Sequence, residues 1–154
     1  MSNLRINGEA PVFILQLTSK LIFIPAIVAL FLKRWGDLII ISFLAISALW
    51  YHSSHSKISY YVDQIGIWLL VFHTFLLAIT NLITPFLFIL GFGYMLIVYS
   101  YGKNYNCFCF DPDINIADKY HASIHVLGIA IYCISMIFFL PTESNGIFFN
   151  IFNY

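Results

Sequence analysis

The sequence predicts an all-α polytopic bundle of about five membrane-spanning helices, on three observations. Hydrophobic residues make up 61% of the 154 residues and charged residues only 9%, which is more apolar surface than a soluble domain of this length can bury. The apolar residues fall into five runs, each close to the roughly 20 residues that cross a hydrocarbon core of about 30 Å. Polar or turn-forming segments separate the runs. Helices are expected in them because backbone facing lipid must satisfy its own hydrogen bonds.

The chain reads as a single integral membrane domain over 1–154, opening on a polar segment, 1–11, that carries Arg5 and Glu9. No small-residue cleavage site follows it, so no removable signal peptide is expected. The first span, 12–32, contains Lys20 and Pro25. A lysine at mid-depth costs about 2.5 to 3.5 kcal/mol, so this span either starts later or lets Lys20 snorkel to the interface. Charged Lys33, Arg34 and Asp37 mark the break before the second span, 37–52, and a serine-rich run, 53–59, separates it from the third, 61–80. Thr80 and Asn81 precede the fourth span, 82–99. A polar loop is expected over 102–118, then a fifth span over 120–140 ended by Pro141. The apolar, aromatic segment 141–154 is too short to cross and reads as an interfacial tail.

Seven basic and seven acidic residues cancel and are scattered singly, so the chain lacks the basic stripe that a phosphate backbone requires and nucleic acid is not an expected partner. Cys107, Cys109 and Cys133 are odd in number and make no disulfide framework. Alternating crossings place the N-terminus, the second-to-third connection and the fourth-to-fifth connection on one side. Arg5, Lys57, Lys103 and Lys119 lie there, against Lys33 and Arg34 opposite, a difference that does not fix the orientation or the membrane.

Histidines and carboxylates at membrane depth are functional candidates because apolar surroundings make them expensive. His121 and His125 are four residues apart, so their rings share one face of the fifth span. That spacing suits a metal, and equally a hydrogen-bonded pair. Span counting brings His52, at the end of the second span, and Asp63, near the start of the third, to the same side. Three neutral imidazoles and a water satisfy the tetrahedral preference of Zn²⁺ with one open position, which lowers the pKa of the water to roughly 7. Asp63 fits three roles: a fourth ligand, a partner that orients a histidine, or the general base, which is the favoured reading. It also fits a simple helix-terminus charge.

These residues resemble the CREST superfamily of membrane hydrolases, which includes the alkaline ceramidases, the progestin and adipoQ receptors and the hemolysin III-like proteins. The resemblance rests on Tyr51-His52 closing one span, Asp63 eleven residues later before Gly66-Ile67-Trp68-Leu69-Leu70, and His121-x-x-x-His125 opening the last. It covers 47–70 and 119–128, about a fifth of the chain. The resemblance implies Zn²⁺ held by His52, His121 and His125, Asp63 in the catalytic role, and hydrolysis of an amide or ester in a membrane lipid, a sphingolipid among the candidates.

Two departures from the family stand out. Its core has seven helices against five here, a reduction that preserves sidedness, and a homo-oligomer is one way of replacing the missing pair. Its serine, four residues before the first histidine, falls on Ala48; Ser47 is one position early, and about 100° of helical rotation aims it away from the His52 face unless a π-bulge intervenes. Ser53, Ser56 and Ser123 are the other auxiliary candidates, by proximity alone. A non-enzymatic membrane protein is the competing class: either a receptor-like relative with structural zinc, or a haem-binding bundle drawing on His73 in the third span, whose blander role is a hydrogen bond between helices. His55, three residues after His52, is read as a loop histidine with an alternative metal ligand as the second reading, Asp111, Asp113 and Asp118 as a solvated acidic loop or a Ca²⁺ site, and Gly91, Gly93 and Gly128 as points of close helix approach.

Overall fold

The computed structural model describes residues 13–54, 56–78 and 83–138. The polar N-terminal segment, His55, the junction over 79–82 and the C-terminal tail from 139 onward lie outside the described residues. Five helical segments are long and apolar enough to cross a membrane: Phe13–Phe31, Trp35–Ser54, Lys57–Leu77, Pro85–Phe110 and Ile114–Phe138. The all-α multi-pass bundle expected from the sequence is the observed architecture, and no strand occurs among the described residues.

The first crossing comes in two pieces, α1 (Phe13–Leu21) and α2 (Phe23–Phe31). Pro25 explains the joint, because it has no N–H to give to the carbonyl four residues back, at Leu21. Lys20, in the last turn of α1, has an exposed side chain, and the span includes it rather than starting later. Lys33 then takes a left-handed φ of 57°, the Arg34 N–H bonds the Ala29 carbonyl at 2.8 Å, and the chain turns into α3 (Trp35–Ser54). Ser56 caps α4 (Lys57–Ala78), its Oγ accepting the Ser59 N–H at 3.0 Å.

The fourth crossing runs as α5 (Ile83–Met95), a π-helical stretch over Leu96–Tyr101, and α6 (Gly102–Tyr105). Asn106 ends it in the left-handed region at φ 54°. Asp113 begins α7 (Ile114–Phe138) by accepting the Asn115 N–H at 2.9 Å. The segment 102–118, expected as a loop, is therefore largely helical, and the last helix starts six residues earlier than the apolar run. Hydropathy marks where a helix becomes apolar, whereas the Asp113 cap sets where it starts.

Ile22, Ala26 and Ala29 of the first crossing pack against Ile41, Leu44, Ala45 and Ala48 of α3 and Tyr132 and Met136 of α7. The four alanines let these backbones approach closely. Large apolar side chains on α4 and α5, such as Trp68, Phe72, Phe75 and Ile89, point outward, as lipid-facing residues do. Gly91 touches the last helix, since a Cβ there would stand 2.8 Å from Ile131 Cδ1, while Gly93 and Gly128 face open space. Of the three glycines expected at close approaches, only Gly91 makes one.

One buried polar cluster locks this arrangement. Asp37 Oδ2 accepts Arg34 Nε–H at 2.6 Å, and Asp37 Oδ1 accepts the Tyr132 hydroxyl at 2.6 Å and lies 2.8 Å from His73 Nε2. His73 thus makes the interhelical hydrogen bond that its place in the span suggested, and the nitrogen a haem iron would need faces a carboxylate. Asp37→Ala removes the carboxylate that Arg34, His73 and Tyr132 share, which should cost about 3 to 5 kcal/mol, against about 1 to 2 kcal/mol for Tyr132→Phe. Unfolding curves in detergent check this order; an Asp37→Ala protein as stable as wild type would contradict the clamp.

Candidate metal centre

His52 lies in the last turn of α3, and His121 and His125 lie in the second and third turns of α7. Their ring centroids form a nearly equilateral triangle, 5.0 Å from His52 to His121, 5.4 Å from His52 to His125 and 5.1 Å between the α7 pair. One ring nitrogen from each falls within 4.8 Å of the others. His52 is 2% exposed, and the other two are half-buried.

Nitrogens about 2.0 to 2.1 Å from a tetrahedral Zn²⁺ stand roughly 3.4 Å apart. Ring rotations and shifts on the order of 1 Å close the observed triangle to that spacing. Three neutral imidazoles are also the donor set that leaves a zinc coordination position open. The residues present therefore fit the ion. Among the described residues this is the one set of three or more ligand-type side chains that converges; Asp111, Asp113 and Asp118 form no such group. The first two spend an oxygen each on the loop backbone, on the N–H groups of Asp113 and Asn115.

Asp63 stands outside the triangle, buried on α4. Its partner is Ser47, whose hydroxyl bonds the Leu44 carbonyl at 3.0 Å and points toward Asp63 Oδ1 at 3.4 Å. α3 is unbroken through this region, so no π-bulge shifts the register and Ser47 faces α4 rather than the histidines. Ser47 is five residues from His52, which sets the Asp63 contact about 7.5 Å along the axis from the level of His52. Gly66 makes the close approach possible: a Cβ there would stand 2.9 Å from Ser47 Oγ and 3.3 Å from Leu44 Cδ1.

The other serines have different occupations. Ser53 is exposed, and Ser56 caps α4. The Ser123 hydroxyl lies 2.6 Å from both the Tyr120 carbonyl and the Tyr94 hydroxyl, joining α7 to α5. Ser123 also lines an open depression of about 300 Å³ with Tyr94, Ile116, Lys119 and Tyr120. At 100° per residue that face of α7 is opposite to the one bearing His121 and His125, so the depression is separate from the histidine triangle.

The sequence reading missed the contribution of the first crossing. Thr18 Oγ1 lies 3.0 Å from His125 Nδ1, and Gln16 Nε2 lies 3.5 Å from the His52 carbonyl. The available signal was two polar residues near the histidine-side end of an apolar run, where polar groups require partners.

The fold and the triangle together define a multi-pass helical membrane protein with a convergent three-histidine cluster near one end of its bundle. Compared with known proteins, the chain matches no family model, and no curated protein or solved structure is significantly similar to it.

Gly66→Ala should drive Ser47 off Asp63 and destabilise the fold by about 1 to 3 kcal/mol through overpacking. Adding Ser47→Ala removes the clashing oxygen and should restore part of that loss. A double-mutant cycle on unfolding free energies measures the coupling; strictly additive effects would argue against the contact.

Proposed function

We propose that this protein is a membrane-embedded, Zn²⁺-dependent hydrolase acting on an amide or ester bond of a lipid. The observation that carries the reading is the convergence of His52 with His121 and His125, from two helices far apart in sequence. Neutral imidazoles hold the ion. When bound, Zn²⁺ polarises a carbonyl oxygen and acidifies water to a pKa of about 7.

The chain's own residues supply the rest. Asp63, as carboxylate, takes a proton from the attacking water and returns it to the leaving amine or alcohol, so that the water oxygen joins the carbonyl carbon as the C–N or C–O bond breaks. Ser47 steadies the carboxylate through Oδ1. The half-buried His121 and His125 leave the cluster accessible at one edge, and the outward apolar side chains of α4 and α5 suit a substrate that arrives from the lipid phase.

Elemental analysis of detergent-purified protein should find about one zinc per chain in wild type, lost in His52→Ala, His121→Ala and His125→Ala. Asp63→Asn should keep its zinc and lose at least 100-fold in hydrolysis of ceramides or other lipid amides and esters. Zinc retained in all three histidine variants would sink the centre. Zinc bound without turnover of any lipid would leave a structural, receptor-like role.

A further inference from the structure

We propose that Thr18 is a positioning residue of the metal centre: its hydroxyl fixes His125 in the tautomer that presents Nε2 as the ligand. The inference rests on reading the three histidines as a metal site, and goes beyond it by assigning a role to the first crossing, which supplies no ligand of its own.

The argument follows from counting protons. Thr18 Oγ1 is buried and has three neighbours: the Ile14 carbonyl at 3.0 Å, the Leu15 carbonyl at 3.3 Å and His125 Nδ1 at 3.0 Å. The hydroxyl has one proton to give and lone pairs to accept with. Both carbonyls can only accept, so the arrangement that satisfies most atoms sends the hydroxyl proton to the helix carbonyls. Oγ1 then receives a proton from His125 Nδ1. The reverse arrangement would press the Thr18 oxygen against two carbonyl oxygens with no proton between them.

With Nδ1 protonated and held, neutral His125 keeps its lone pair on Nε2. A hydrogen bond from the second ring nitrogen is the general device by which proteins orient histidine ligands and raise their basicity. Here the acceptor is a hydroxyl whose own direction is set by a helix backbone. The contact spans 107 positions of sequence, so it also ties α1 to α7 at the depth of the triangle.

Two variants separate orientation from packing. Thr18→Val keeps the shape of the side chain and removes the oxygen; Thr18→Ser keeps the oxygen and removes a methyl. Zinc affinity of the full chain in detergent, measured by competition with a chromophoric chelator, should fall 10- to 100-fold in Thr18→Val and stay within about threefold of wild type in Thr18→Ser. Nitrogen-15 spectra of histidine-labelled, zinc-free wild type should show His125 as the Nδ1–H tautomer, and Thr18→Val should convert it to a mixture.

Thr18→Val that binds zinc as tightly as wild type overturns the proposal and leaves the metal centre standing. A wild type that takes up no zinc overturns both. His125 found as the Nε2–H tautomer in zinc-free wild type overturns the positioning role whatever the variants do, including the case in which Thr18→Val fails to fold.

Discussion

The buried ion pair between Arg34 and Asp37 holds the corner where the first crossing turns into α3, and the same carboxylate receives Tyr132 from α7 and faces His73 on α4. An apolar bundle offers no water to replace any of these partners, so each polar group commits its helix to one register. α3 is a continuous rod from Asp37 to His52, about 22 Å at 1.5 Å per residue. Fixing one end of α3 and α7 against each other therefore fixes what meets at the other end. What meets there is the histidine triangle.

The two ends differ in kind. At the Asp37 end, donors outnumber acceptors and each oxygen of the carboxylate is used, giving a closed network suited to holding helices together. At the histidine end, three rings converge edge-to-face, with His125 Nδ1 3.0 Å from the Thr18 hydroxyl. Three imidazoles brought together present a set of ring nitrogens of the kind a borderline cation such as Zn²⁺ seeks. The contrast separates a closed network that holds helices together from a convergent set of ligand-type side chains.

The distribution of packing fits that division. The first crossing, α3 and α7 share the alanine-lined core and carry every residue of the triangle and of its Thr18 support. α4 contributes Asp63 and His73 along one edge, and otherwise turns its large side chains outward with α5. A five-helix bundle can thus keep a complete three-histidine cluster, because the cluster asks for only three crossings.

Composition and run length determined the class of fold, since 61% hydrophobic residues call for lipid and unbroken apolar runs near 20 residues suit helices rather than the shorter strands of a barrel. The His-x-x-x-His spacing and the parity of crossings also brought His52, His121, His125 and Asp63 to one side. Helix ends escaped that reading where capping decided them, as Asp113 did for α7. So did every contact whose partners are far apart in sequence: Thr18 with His125, Ser47 with Asp63, and Asp37 with His73 and Tyr132. Periodicity tells which face of a helix a residue occupies, but not which helix lies against that face. Only the tertiary structure chose those neighbours, through the close approaches at the alanines and Gly66 and the demand that each buried polar atom find a partner.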